Sequence, residues 1–221
     1  MSKQLAIVVD VRRCISCMAC TVACNTFYNL PLGKFKLSVN NFDKGKYPDS
    51  KKIALPIMCF QCEKPKCITA CKSTGVNAIY KRIEDGIVII DSDKCQGKQK
   101  CISDGCPYSN IYFNPLTGKA EKCSLCIDAM WDKEEMPVCV STCNGKALIY
   151  GDINNPSSDA GQAVRNYFNE GGKPMKLKNT IDGTRPSTVY LGIEEWIKII
   201  DKNLTGYKEL NPHKIFEVLP E

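Results

Sequence analysis

The chain is 221 residues long, 43% hydrophobic and 24% charged, a balance that can bury a core and excludes disordered and collagen-like chains. Fifteen cysteines against a single histidine, His213, confine metal chemistry to sulfur and leave Ser/His/Asp catalysis without a base. Thirty basic and 24 acidic residues give a formal charge of +6, which alone would invite a nucleic-acid reading.

In chain order, Leu5–Asp10 is predicted as a buried strand. Its apolar run, like that of residues 87–90, falls far short of the roughly 18 residues a membrane span needs. The segment before it has no long apolar stretch, small-residue cleavage site or twin arginine, so it is expected to carry no export address. The strand leads into Cys14, Cys17, Cys20 and Cys24, spaced C-x2-C-x2-C-x3-C. In such a run three close thiolates hold three irons of a [4Fe-4S] cube and the fourth reaches another cluster. A short helix is expected after Cys20. Residues 25–55, with Tyr28, Pro31, Gly33, Lys34 and Lys36, read as a polar, aromatic-dotted insertion that either covers the first cluster or docks a partner.

Cys59, Cys62, Cys67 and Cys71 repeat the pattern as C-x2-C-x4-C-x3-C, with a second short helix expected after Cys67. Residues 78–83 and 86–91 flank Glu84 and Asp85, and the Asp85-Gly86 step predicts a tight hairpin. The third group, Cys95, Cys101 and Cys106, is one cysteine short. The fourth, Cys123, Cys126, Cys139 and Cys143, precedes a predicted strand at 147–150 that is expected to pair with the first strand. From 153 onward there is no cysteine. Residues 159–170 read as a helix stopped by Gly171 and Gly172, and 193–200, with Trp196, as an amphipathic helix. His213 reads as surface decoration, and Trp131 and Trp196 as packing residues.

A cube presents four iron corners, so a tight loop caps three of them and a distant cysteine must supply the last. Two such loops donating to each other make a two-cluster unit, and four loops imply two units. Zinc competes at the fourth group, whose spacing taken alone passes as a four-cysteine ribbon, but it rarely takes four ligands from runs as short as the first two groups. A disulfide scaffold suits short secreted chains with even cysteine counts. Each cube with its thiolates carries about −2, so four would bring the protein from +6 to about −2, and the lysine excess reads as compensation for cluster charge.

The sequence resembles the four-cluster ferredoxin subunits of molybdenum or tungsten bis-pterin oxidoreductases, the dimethyl sulfoxide reductase, polysulfide reductase and respiratory arsenate reductase group. The likeness spans about residues 5–191 and rests on the cysteine runs of the first two loops and Lys122-Cys-Ser-Leu-Cys126. Pro137-Val-Cys139, Gly151-Asp152, Asn155-Pro156, Thr184-Arg-Pro186 and Val189-Tyr-Leu191 add to it. The family's cross-donation implies cluster one on Cys14, Cys17, Cys20 and Cys143, and cluster two on Cys24, Cys123, Cys126 and Cys139. Cluster three would take Cys59, Cys62, Cys67 and Cys106, leaving Cys71, Cys95 and Cys101 for cluster four.

The third loop departs from the family, with Cys95-Gln-Gly-Lys98 where Cys-x-Gly-Cys is usual and an extra residue between Cys101 and Cys106. A protonated lysine has no lone pair to ligate iron, so the site is expected to be [3Fe-4S], an atypical [4Fe-4S] with an outside ligand, or vacant. Nitrate reductase-type subunits, similar in losing a cysteine here, hold a three-iron cluster. Lys72 and Asn144 replace the proline that commonly follows the last cysteine. With the eroded third loop, this resembles the small subunits of the transhydroxylase and dehydroxylase branch.

The expected fold is α+β, two pseudo-symmetric bacterial-type ferredoxin units with an insertion and a C-terminal tail. Unit A would comprise 1–30 with 117–152 and unit B 56–116, with the insertion at 31–55 and a docking tail at 153–221. The expected function is electron transfer, without catalysis by this chain. Its expected partners are a large bis-pterin catalytic subunit and a membrane anchor or soluble redox carrier; no nucleic acid is expected. An electron-carrier subunit of a hydrogenase or formate-linked complex, and a structural zinc protein, are the alternatives. The compartment stays open between the cytoplasm and co-export with a signal-bearing partner.

Overall fold

The computed structural model describes residues 2–128, 136–177, 183–194, 196 and 216–218. Its largest sheet has five strands in the order β11 (Phe216–Val218), β9 (Met175–Leu177), β10 (Val189–Leu191), β1 (Leu5–Asp10) and β8 (Leu148–Asp152). β1 runs parallel to β10 and antiparallel to β8, with Ile7 opposite Tyr150, so the expected pairing of these two segments is present.

Every residue of β1 is buried, because both of its faces are covered, and this is why its sequence is a continuous apolar run rather than an alternation. Val8 packs with Ala160 and Tyr167 of helix α4 (Asp159–Asn169). Leu5, Ile7 and Val9 point the other way into the main core. The Ser158 side chain caps α4 by accepting the Gly161 N–H at 3.0 Å, and left-handed Gly171 (φ 80) follows its end.

Three two-stranded hairpins complete the β structure: β2 (Leu37–Lys44) with β3 (Lys51–Met58), β4 (Ile79–Lys81) with β5 (Val88–Ile90), and β6 (Ile111–Asn114) with β7 (Lys119–Lys122). Helices α1 (Ala19–Phe27) and α3 (Val138–Ser141) pack together, as do α2 (Lys66–Lys72) and a π-helical turn at Cys101–Gly105. The fold is thus mixed α and β with small sheets. Among the described residues no helix is long and apolar enough to cross a membrane.

Three details differ from the sequence reading. The Asp85-Gly86 step does supply a left-handed residue, but the turn has four residues, closed by the Arg82 N–H on the Ile87 carbonyl at 2.8 Å. The insertion is the β2–β3 hairpin, whose base buries Leu37, Phe42, Ile53, Leu55 and Met58, and β3 runs past position 55. Its polar look comes from the exposed tip around Lys44, Lys51 and Lys52. In the described part of the expected docking tail, β9 and β10 join the main sheet and α4 packs against it. Most of the 193–200 helix, along with Trp131 and His213, lies outside the described residues, while Trp196 packs against the main core.

Gln61 ties the two cysteine-rich halves together. It is fully buried and left-handed (φ 47), its side-chain N–H donates to the Cys123 carbonyl at 3.0 Å, and its side-chain oxygen accepts the Val88 N–H at 2.9 Å. Gln61→Leu would leave the buried Val88 N–H without a partner and take one of two donors from the Cys123 carbonyl, and is expected to destabilise the iron-loaded protein by about 2 kcal/mol. Thermal denaturation checks this, and a loss below about 1 kcal/mol would show that the amide is not a pin between the halves.

Candidate metal centres

The first loop follows a 3-10 turn at Val11–Arg13. Left-handed Ser16 (φ 60) and Met18 (φ 59) reverse the chain between its cysteines. The result is a cavity lined by Cys14, Cys17, Cys20 and, from the fourth loop, Cys143. The Ala147 N–H donates to the Cys143 sulfur at 3.2 Å. Cys17 is exposed, whereas Cys20 lies buried on α1.

One helical turn after Cys20, Cys24 is also buried and faces Cys126 and Cys139. Left-handed Leu125 (φ 57) and Cys126 (φ 63) shape this part of the fourth loop. Burial pushes the Cys24 thiol up to about 11 and the Cys123 thiol up to about 12, and raises Cys139 well above its ordinary value. Lys36 works against that rise at Cys24; its ammonium stands 3.4 Å from the Tyr28 ring centroid and 3.9 Å from Glu121. The four cysteines of the fourth group therefore do not form a ribbon site, because Cys143 belongs to the first cavity.

A further cavity is lined by Cys59, Cys62, Cys67 and Cys106, with Lys122 and Thr184. The Asn110 N–H donates to the Cys106 sulfur at 3.4 Å. Thr184 comes from a segment that the sequence reading kept away from the cysteines. The Lys64 N–H fastens it at the Thr184 carbonyl, 3.0 Å away, and the Thr184 and Tyr108 hydroxyls lie 2.6 Å apart. Burial pushes Cys67 up to about 12 and Cys62 higher, with the Thr184 hydroxyl easing the rise at Cys62. The signal in the sequence was the Thr184-Arg-Pro186 motif, which cysteine spacing could not link to this site.

The last cavity is lined by Cys71, Cys95 and Cys101, with Val76, Ile79 and Lys98. Burial pushes Cys101 up to about 11, and the neighbouring Cys71 and Cys95 add to the rise. Lys98 is exposed and its ammonium donates to the Thr74 carbonyl at 3.3 Å. Left-handed Gly97 is wedged so closely against the Gly118 carbonyl that a Cβ there would collide with it.

These four cysteine sets stand in file. Cys20 and Cys24 share α1; Cys59 is near enough to Cys123 to raise its pKa; Cys67 and Cys71 share α2, and Cys101 acts likewise on Cys67. Soft sulfur donors surrounding cavities, with backbone N–H groups aimed at two of the sulfurs, fit the donor chemistry of iron–sulfur clusters.

The family model described as a 4Fe-4S dicluster domain matches residues 51–153. A tetrathionate reductase subunit of Salmonella typhimurium is 34% identical over 194 residues, covering 87% of this chain and 74% of the relative. A sulfite dehydrogenase subunit of Allochromatium vinosum is 33% identical over 208 residues, covering 85% and 82%. A polysulfide reductase polypeptide of Wolinella succinogenes is 32% identical over 191 residues, covering 84% and 93%.

Thiols raised to about 11 or 12 keep their protons at neutral pH, so each must lose one on binding iron. Loading of cluster-free protein with ferrous iron and sulfide is expected to become more favourable from about pH 6 to about pH 8 and to release protons into weakly buffered solution. Uptake that is independent of pH, with no proton release, would show thiols already ionised.

Proposed function

The chain belongs to the family of iron–sulfur electron-transfer subunits of the molybdenum bis-pterin oxidoreductases, and we propose that it relays electrons through clusters in file between a large molybdenum or tungsten bis-pterin subunit and a second redox partner. The observation that carries this reading is the unbroken succession of neighbouring cysteine sets from Cys17 to Cys95.

We assign cluster one to Cys14, Cys17, Cys20 and Cys143, cluster two to Cys24, Cys123, Cys126 and Cys139, and cluster three to Cys59, Cys62, Cys67 and Cys106. Bound there, the clusters supply reversible one-electron carriers. The protein's part is to bury the sulfurs, donate N–H groups to them and fix the spacing between sets. For the fourth site, with Cys71, Cys95 and Cys101, we assign a [3Fe-4S] centre. The Lys98 ammonium is taken up by the Thr74 carbonyl, and Cys71, Cys95 and Cys101 are the only cysteines lining the cavity among the described residues.

The division into two related ferredoxin units has support in local packing. β1 with β8 and α1 with α3 bring 1–30 together with 117–152, while α2 against the π turn holds 56–116. The catalytic subunit docks at cluster one in this proposal. Cys17 is exposed there, and Ile15 and Val22 present apolar side chains 66% and 62% exposed. Cluster four then faces the second partner, a membrane anchor or soluble carrier, and the terminal substrate is chosen by the catalytic subunit.

Two experiments test the arrangement. In the complex, Cys17→Ser is expected to cut turnover with the physiological donor more than about tenfold while clusters three and four stay reducible, and unchanged turnover would reverse the orientation. Electron paramagnetic resonance of the oxidised protein is expected to show the signal of a paramagnetic three-iron centre, which Lys98→Cys should diminish as a fourth thiolate becomes available. A silent oxidised protein with full iron content would instead mean a fourth cubane held by another ligand.

A further inference from the structure

We propose that Lys122 is a shared counter-charge for clusters two and three, a positioning residue that holds the reduction potentials of both clusters up. The proposal rests on the assignment of those clusters made above.

Lys122 is the last residue of β7 and precedes Cys123, yet it is only 4% exposed. Lysine can bury its stem and keep its charge in water, but here the charge itself is inside. Its ammonium donates to the Val88 carbonyl and, at 2.9 Å, to the Cys123 carbonyl. Those bonds anchor the group between β5 and the fourth loop and fix where its charge sits.

Among the described residues no carboxylate pairs with Lys122. Lys36, the other buried lysine beside these sites, does have one in Glu121. A buried ammonium without an anion is unfavourable, and neutral carbonyls answer only its donor capacity. Cysteines that become anionic on binding iron do stand around Lys122. It lines the cavity of Cys59, Cys62, Cys67 and Cys106, and its charge favours the thiolates of Cys67, Cys106 and Cys123 against the effect of burial. One cation therefore acts on ligands of two clusters.

The consequence for electron transfer follows from sign. Each cluster gains a negative charge on reduction, and a fixed cation nearby favours that state, so the potential rises. The step concerned is a one-electron exchange in which one cluster is oxidised as the other is reduced, with no bond made or broken. Because Lys122 touches both sides of this junction, it raises both potentials. Lys36 acts on the Cys24 side.

The test is a redox titration of the holoprotein followed by electron paramagnetic resonance, in wild type and in Lys122→Met, Lys122→Gln and Lys122→Arg. Both neutral variants are expected to shift the midpoints of clusters two and three to lower potential, more than those of clusters one and four, and arginine is expected to restore them. Glutamine retains an amide donor for the carbonyls, so it serves if the methionine variant does not keep its iron. Unchanged midpoints in either iron-loaded neutral variant would overturn the proposal and leave Lys122 a structural residue. Failure of the underlying assignment looks different, since wild-type protein would then lack the iron, sulfide and signals of clusters two and three.

Discussion

Cys20 and Cys24 stand one turn apart on α1, and Cys67 and Cys71 repeat that arrangement on α2. Four residues of helix rise about 6 Å, so each helix turns a local spacing in the sequence into a fixed distance between two neighbouring sulfur-lined sites. Everything else in the fold serves these two rulers. α3 braces α1, the π turn braces α2, and the closing strands lock the fourth loop beside the first through β1 and β8. The Gln61 side chain then ties the second loop to the fourth.

Burial and charge pull against each other around those sulfurs. Thiols enclosed as Cys62, Cys67, Cys123 and Cys139 are would remain neutral, yet iron demands thiolates. Iron itself supplies most of the compensation, and the protein adds cations from inside: Lys36 beside Cys24 and Lys122 between the second and third sets. The formal charge of +6 is thus partly an internal quantity. Taken as a surface property, it would have pointed to nucleic acid.

What the sequence made legible was what repeats. Cysteine intervals carry the geometry of a helical turn, β1 announces its burial by its unbroken apolar run, and α4 shows its stop at Gly171. Single residues with no spacing rule stayed hidden. Lys122 and Thr184 lie in motifs that the sequence displays, but they and Gln61 reach partners 27 or more residues away that no spacing reveals. The β2–β3 hairpin was obscured for another reason. Its charged tip dominates the composition of 31–55, while the apolar base that anchors it is split between the two ends of the segment.

The eroded third loop can be understood from the same supports. Cys71 is placed by α2 and Cys101 by the π turn, where a Cβ on Gly105 would come within 3.0 Å of the Cys67 Cα. The Cys95 N–H is fixed to the Asp91 carbonyl at 3.0 Å, and Gly97 is pressed against Gly118. None of these anchors needs a sulfur at position 98, so the loop keeps its course with the Lys98 ammonium on the Thr74 carbonyl. Position in the file matters as well. In the proposed arrangement an interior site serves two junctions, and losing a ligand there would disturb both, whereas the last site has one neighbour within the chain. The end of the file is therefore where this fold best tolerates a missing thiolate, and where a changed cluster can tune exchange with an outside partner without altering the steps behind it.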